Sequence, residues 1–504
     1  QGQTTEVGVT PPGGSRQVLL NQATYYPFGP VAGWTYGNGR PMQRVLDQDY
    51  RPLAVNDTRS DGLAVGFAFD PVGNLSALTA PGNTAPVIKL DYDPLGRLTA
   101  FKDGPTDTVI DGYTYDATGN RLSAKVNTTT QTYSYPTTSH RLSSVAGTAR
   151  SYDAAGNTTA IGGTAVQYVY GANGRLTQVK RSGTVVANYA YNGRGEQVRR
   201  VSKTNVYTLY DESGHWLGDY DNNGAVVQQA IWLDDLPVGV LAKTTLRYVQ
   251  PDHLGTPRAV IDPVRDVAIW RWDLKGEAFG ATAPDQDPDK DGTAFVFDMR
   301  FPGQRYDALS GLNQNYFRDY EPGTGRYVQS DPIGLKGGLT SYAYAASSPM
   351  AAIDSLGLRD VVVVVWRGQI YPFSVGHVFV GETNGDVILS QFPLPHATHG
   401  ENMTYDWFAT LKAEGRPPDS IWKVSIPNEK NFDSTVENLR NRPFWDAIPH
   451  ENETNCSVAA YSALESGGVR IYGGSYMPGA VDTALKGQFL LGNSAVTPLP
   501  EVPW

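Results

Sequence analysis

An aromatic-led motif returns at near-regular intervals through the first half of the chain, and it limits the fold more than any other feature. Phe69-Asp70-Pro71-Val72-Gly73-Asn74-Leu75, Tyr92-Asp93-Pro94-Leu95-Gly96-Arg97-Leu98 and Tyr115-Asp116-Ala117-Thr118-Gly119-Asn120-Arg121-Leu122 are successive copies. Further copies begin at Tyr135, Tyr152, Tyr170, Tyr191 and Tyr210, so the aromatic positions lie 23, 23, 20, 17, 18, 21 and 19 residues apart. Each copy reads as a strand, a tight turn and a returning strand. Asp or Asn can hydrogen-bond its own backbone at the turn, and Gly takes the left-handed position there. The Tyr before the turn and the Leu after it are expected to pack on one face. A lone hairpin is marginal in water, so neighbouring copies must stack.

Composition agrees with many short strands joined by turns. The chain has 504 residues with 54 Gly, 34 Pro and 29 Tyr against 5 Met. That length calls for more than one structural unit. Hydrophobic residues make up 40% and charged residues 18%, a globular balance. The formal net charge is −10 and no long basic run occurs, so a sequence-independent grip on nucleic acid is not expected. No apolar stretch reaches the length of about 18 residues that a membrane-spanning helix needs. Gln1-Gly2-Gln3 opens the chain without a positive region followed by an apolar one, so no signal peptide is visible. The absence of a starting Met suggests a fragment or a processed product. One cysteine excludes an internal disulfide framework.

The repeats resemble the YD repeats of Rhs proteins and of the C subunits of insecticidal Tc toxins, over roughly residues 15–358. The resemblance implies a mainly β fold: a spiral β-sheet shell, a partial or complete cocoon, enclosing a toxic C-terminal domain as its cargo. Eight copies are fewer than family shells usually carry. Three domains are expected: a repeat shell over residues 1–247, an Rhs-associated core over 248–358, and a small α+β effector over 359–504.

The core resemblance rests on Tyr248-Val249-Gln250-Pro251-Asp252-His253-Leu254-Gly255-Thr256-Pro257-Arg258 and Phe301-Pro302-Gly303-Gln304-Arg305-Tyr306-Asp307. It continues through Asn315-Tyr316-Phe317-Arg318-Asp319-Tyr320, Ser330-Asp331-Pro332-Ile333-Gly334-Leu335 and Asp354-Ser355-Leu356-Gly357-Leu358. It implies an aspartyl autoprotease with Asp331 and Asp354 as the catalytic pair, cutting between Leu358 and Arg359. Two close carboxylates share a proton, so one can act as base and the other as acid. The competing reading is that Asp331-Pro332 and Asp354-Ser355 merely start turns. Ser355 stands where the family usually has Pro, which predicts slower cleavage. His253 reads as a packed or turn residue, and His140 and His215 fall in repeat turns with no role assigned.

Beyond Leu358 the pattern changes. Asp360-Val361-Val362-Val363-Val364-Val365-Trp366 reads as a buried central strand. A second strand is expected within residues 371–380, a third at 386–391 and a fourth at 421–426. Apolar spacing over residues 431–447 suggests a helix. Thr454-Asn455-Cys456-Ser457 can open another helix that Gly467 ends, which places Cys456 in a first turn where the dipole stabilises thiolate. Gly376-His377-Val378-Phe379-Val380-Gly381 followed later by Asn455-Cys456 resembles the circularly permuted papain-like group, which includes lecithin:retinol acyltransferase-like proteins. That resemblance implies Cys456 as nucleophile and His377 as general base, with a third polar group near Ser390 or Gln391 to orient the imidazole. Read by themselves, a Cys on an alanine-rich helix and a His on an apolar strand are ordinary core residues. His450 is a rival base. His396 and His399 lack a second cluster at zinc spacing, so no metal is expected, and no cofactor.

These features together suggest a secreted toxin delivered by a bacterial secretion system, with a cognate immunity protein and a component of the secretion apparatus as partners. The warhead is read as a cysteine hydrolase or acyltransferase. The alternative is a tip acting by binding or membrane disruption, although residues 361–365 are too short to span a bilayer and no stable insertion is expected.

Overall fold

The computed structural model describes residues 3–357 except 28–29, 48–49, 72, 127, 333–339, 356, and beyond them only the backbone of the strands between Asp360 and Leu499. It divides into two compact units, residues 1–357 and 358–504.

The first unit is built on a 26-stranded sheet running from Val7–Val9 to Val267–Arg271. Each strand pairs antiparallel with the next in sequence, as Pro86–Tyr92 does with Leu98–Asp103 and Val109–Tyr115 with Arg121–Val126. Local connection of this kind follows from the turn chemistry. In the copy at Asp93, the Gly96 N–H donates to the Asp93 carbonyl at 2.9 Å, and the Asp93 side chain accepts from the Arg97 N–H at 3.0 Å. Gly96 has φ +74°, a conformation that any side chain would strain. The same Gly-to-Asp or Gly-to-Asn bond closes the turns at Asp70, Asp116, Asp153, Asn192 and Asp211. It also closes turns at Asp221 and Asp252, which the aromatic count ending at Tyr210 had not included. The copy at Tyr135 departs from the pattern, because Pro136 follows it and the turn bond there runs from Ser139 to Pro136.

The tyrosines do more than pack. Whereas Tyr135 accepts from Arg326 at 2.7 Å, six of the repeat tyrosines donate their hydroxyl to a backbone carbonyl of the preceding repeat, among them Tyr92 to Leu75 at 2.9 Å, Tyr115 to Leu98 at 2.9 Å, and Tyr191 to Leu176 at 2.8 Å. Tyr152, Tyr170 and Tyr210 do the same with Leu142, Thr158 and Gln197. A phenol at a strand end thus joins apolar burial to a polar link between repeats. Leu75, Leu98 and Leu176 are fully buried, as expected of the residue after the turn. The third copy is a correction. Arg121 takes that inward place and Leu122 is exposed. The guanidinium lies 3.8 Å from the Phe279 ring centroid and 4.7 Å from that of Tyr113, and donates to the Thr324 carbonyl at 3.0 Å. Aromatic faces and a carbonyl make the burial of this cation tolerable.

The sheet returns on itself within the unit. Tyr36 donates to the Val249 carbonyl, and buried Arg40 pairs with Asp57 at 2.7 Å and with Asp266 at 3.0 Å. A second sheet of four antiparallel strands, Gln304–Asp307, Leu312–Asn315, Arg318–Glu321 and Arg326–Tyr327, lies against repeats from the middle of the chain. Arg150 grips Glu321 through both terminal nitrogens at 2.6 and 2.8 Å, Arg175 donates to the Tyr316 carbonyl, and Tyr168 donates to that of Ser310. Residues around 310–327 are therefore anchored by side chains more than 100 positions earlier in the chain.

In the second unit five antiparallel strands run in the order Val387–Ser390, His377–Glu382, Asp360–Trp366, Ser420–Ser425 and Val496–Leu499. The strand at Asp360–Trp366 is central, and the third and fourth strands fall within a residue of the expected bounds. The last strand had no counterpart in the sequence reading. The helix expected over 431–447 does not reach its stated end, because Trp445–Asp446 pairs with His399–Gly400 as a short strand. Backbone pairing with a distant segment overrides local apolar spacing there.

Candidate active site at the junction

The four-stranded sheet positions a polar cluster beneath the end of the first unit. The tight turn at Tyr316, φ +49°, joins Leu312–Asn315 to Arg318–Glu321 and brings Asn315 and Arg318 side by side. Tyr327 comes in from the strand paired with Tyr320. Asp331 follows, its N–H fixed to the Ser341 carbonyl at 2.7 Å.

Arg318 is the centre of this cluster. Its two terminal nitrogens reach different carboxylates, Nη1 to Asp331 Oδ2 at 2.9 Å and Nη2 to Asp354 Oδ2 at 3.1 Å. The structure brings the two expected aspartates to one guanidinium, and all three side chains are buried, at 4%, 4% and 10% exposure. A cation between two carboxylates lessens the repulsion between them. Tyr327 donates to Asp354 Oδ2 at 2.7 Å, and the Arg318 guanidinium sits 3.8 Å from the Tyr327 ring centroid. Burial, and then the neighbouring Asp354 charge, hold the Tyr327 phenol protonated well above its ordinary range, so it serves as a donor.

The backbone leading to the junction is gripped by the same residues. Asn315 Nδ2 donates to the Asp354 carbonyl at 2.9 Å, and Arg318 Nε donates to the Gly357 carbonyl at 2.8 Å. Two glycines make this approach fit. A Cβ on Gly303 would stand 1.8 Å from the Ser355 carbonyl oxygen, and one on Gly357 would stand 2.8 Å from that of Asn315. Arg318, Asn315 and Gly303 were legible only as parts of a motif. The signal for Arg318 was chemical: a buried carboxylate pair needs a nearby cation, and this is the arginine of the same motif.

Other expected residues fall elsewhere or outside the described residues. Leu358, Arg359, Gln391 and Cys456 are not among those described. His377 lies in the strand His377–Glu382, paired with Trp366, and Ser390 pairs with Phe379. His253 is packed, as expected, with Nε2 3.0 Å from the Met350 carbonyl and its ring 4.2 Å from that of Phe67. His215, given no role, sits between Asp211 at 2.9 Å and Asp235 at 3.3 Å.

The family described as Teneurin YD-shell matches residues 59–337. The chain belongs to the YD-shell family. The likeness extends to Rhs/YD-repeat polymorphic toxins. Toxin protein Tse5 of Pseudomonas aeruginosa is 37% identical over 128 residues, 25% of this chain and 9% of that protein. Double-stranded DNA deaminase toxin A of Burkholderia cenocepacia is 27% identical over 338 residues, 58% of this chain and 22% of that protein. Matches of this extent span under a quarter of either relative. Among solved structures, the Tc holotoxin pore of Photorhabdus luminescens superposes with a TM-score of 0.59 at 18% identity, over 70% of this YD-shell chain and 20% of that one. At that identity the likeness is one of fold.

Proposed function

We propose that this YD-shell chain is a delivered toxin that cuts itself between Leu358 and Arg359, using Asp331 and Asp354, and so releases residues 359–504 as an effector. The observation that carries the proposal is the convergence of both aspartates on Arg318 while the same arginine holds the Gly357 carbonyl, one residue before Leu358. In the reaction one ionised carboxylate takes a proton from water as its oxygen adds to the Leu358 carbonyl carbon. The other carboxyl, protonated, gives its proton to the Arg359 nitrogen as the C–N bond breaks. Arg318 and Asn315 act on the peptide rather than on the water, holding it in one register so that the reaction is intramolecular.

The effector is a cysteine hydrolase or acyltransferase, with Cys456 as nucleophile, His377 as base and Ser390 or Gln391 as the orienting group. Enzymatic effectors accompany related chains, one of which is named for DNA deamination. Delivery through a secretion apparatus, and neutralisation by an immunity protein in the producing cell, follow from the kinship with toxins.

Two experiments test this. The purified chain on a denaturing gel should resolve into residues 1–358 and 359–504, and Asp331→Asn or Asp354→Asn should leave one band; a single band from the unaltered chain rejects self-cleavage. Expression of residues 359–504 in bacteria should arrest growth, and Cys456→Ala should abolish the arrest. Undiminished toxicity of that variant would transfer the reading to a tip acting without thiol chemistry.

A further inference from the structure

The loop that follows the last strand of the large sheet reads Asp285-Gln286-Asp287-Pro288-Asp289-Lys290-Asp291-Gly292-Thr293. Asp287, Asp289, Asp291 and Gly292 fall at the spacing D-x-D-x-D-G, the first half of an oxygen-ligand calcium loop. In such a loop the residues at positions one, three and five turn carboxylates inward, and a glycine at six makes the sharp bend. Gly292 has φ +84°, as that bend requires. The facing oxygens of Asp287, Asp289 and Asp291 all lie within 4.8 Å of one another.

Spacing and crowding alone would describe many exposed acidic turns. The decisive observation is the state of the inner oxygens. The Asp289 side chain is only 10% exposed, and its Oδ1 is shut off from water with no hydrogen-bond donor. Its Oδ2 is ion-paired with Arg265 Nη1 at 2.6 Å, which leaves Oδ1 as the donorless oxygen. Asp287 Oδ1 is likewise buried without a donor. A buried anionic oxygen with nothing to accept from is costly, and the usual resolution is a cation. The protein's own cations supply it only in part, because three carboxylates of the loop face one guanidinium nitrogen, Arg265 Nη1, which pairs with Asp289 and Asp291. Arg265 divides itself among Asp262, Asp289 and Asp291, and Lys290 turns to Asp285 at 3.2 Å.

We propose that Asp287, Asp289 and Asp291 bind a calcium ion. Oxygen-only ligands select a hard divalent cation. The backbone carbonyl of Thr293, at position seven, is the further protein ligand that the register supplies, and water completes the shell. The twelfth position is Asp298, but its carboxyl, raised in pKa by burial, answers chiefly to Arg305, Arg300 and Arg200. The loop therefore lacks the closing bidentate ligand, and its affinity belongs with the weak calcium modules, about 10⁻⁴–10⁻³ M. Its location suggests what the ion does. Arg265 ties the loop to the turn at Asp262, and Asp266 of that turn pairs with Arg40 and Arg59 from the start of the chain. Calcium would stiffen the seam where the sheet returns on itself.

The test uses the full chain, freed of divalent ions by chelation and titrated with calcium chloride by equilibrium dialysis and calorimetry. One saturable site is expected, with magnesium at least tenfold weaker, and a calcium-dependent rise in the thermal midpoint. Asp289→Asn and the more exposed Asp291→Asn should each weaken binding about tenfold or more. Asp291→Asn removes charge at an exposed position, so it keeps the test valid even where Asp289→Asn fails to fold. No saturable calcium binding to the unaltered chain, or binding unchanged in a folded Asp291→Asn variant, overturns the proposal.

Discussion

Replacing Arg318 by Met isolates the charge that joins the junction. The arginine ion-pairs with Asp331 at 2.9 Å and with Asp354 at 3.1 Å, and all three side chains are at most one-tenth exposed. Met fills similar volume but leaves two carboxylates buried side by side without their cation. Removing one member of a buried ion pair costs about 3–5 kcal/mol, largely because the abandoned charge stays desolvated. Loss of the Nε bond to Gly357 adds about 1 kcal/mol. The measurement should use the chain ending at Leu358, so that self-cleavage does not alter the covalent state between variants. Arg318→Met is then compared with its parent, and Arg318→Met with Asp331→Asn and Asp354→Asn is compared with the double Asn variant. In the charged background the substitution should cost about 4–6 kcal/mol in chemical denaturation. Between the neutral pair the cost should fall to about 1–2 kcal/mol, because no charge is abandoned. Arg318→Lys should recover the charge but not the three-way geometry, since an ammonium cannot aim separate N–H groups at Asp331, Asp354 and Gly357. Equal costs in both backgrounds would show that Arg318 acts by packing, and the electrostatic account of the junction would fail.

Three further outcomes follow from the same structure. Gly303→Ala places a methyl 1.8 Å from the Ser355 oxygen at a φ of +81°, so it should slow the release of residues 359–504 at least tenfold; Gly73→Ala, at φ +90° with no neighbour within 4 Å, should cost only about 1–2 kcal/mol of stability and leave cleavage intact. His215 is raised to about 9, since Asp211 and Asp235 outweigh the burial that alone would lower it. A raised folded-state value means the protonated ring stabilises fully below about pH 6.5 and loses that contribution as pH climbs to about 9, so the stability gap between the parent and His215→Gln, about 1–3 kcal/mol after allowance for the partly exposed carboxylates, should close over that window in thermal melts. Tyr115→Phe removes only the hydroxyl bonded to the Leu98 carbonyl and should cost about 1 kcal/mol, with faster amide exchange local to residues 98–101; exchange accelerated over the whole sheet would argue against a link between adjacent repeats.

The sequence reading and the structure part company where distant segments meet. The turns were readable because their chemistry is local: Asp93 bonds to residues within four positions of it, and Gly96 supplies the positive φ. The Asp331 and Asp354 pair was readable as a resemblance, carried by runs of identical residue types. The role of Arg318 within that motif was not, because nothing local distinguishes a surface arginine from one that folds inward onto carboxylates 13 and 36 positions later. Arg121 is the same lesson in the opposite direction, a charged residue in the inward place that leucine holds in neighbouring repeats. The acidic loop at 287–291 was open to reading from its spacing. Its buried, donorless oxygens became visible only in three dimensions.

By itself the amino-acid order determined the unit of construction: a strand, an Asp-to-Gly turn and a returning strand, repeated so that each strand pairs with its successor. That much is encoded in contacts a few residues long, for which backbone dihedrals and side-chain capping are sufficient. The tertiary structure decided how far the sheet bends back to join Arg40 to Asp266, and which polar groups become buried against which. Those outcomes depend on desolvating charges whose partners lie hundreds of residues away, and a burial cost of that kind has no signature in any short stretch of chain.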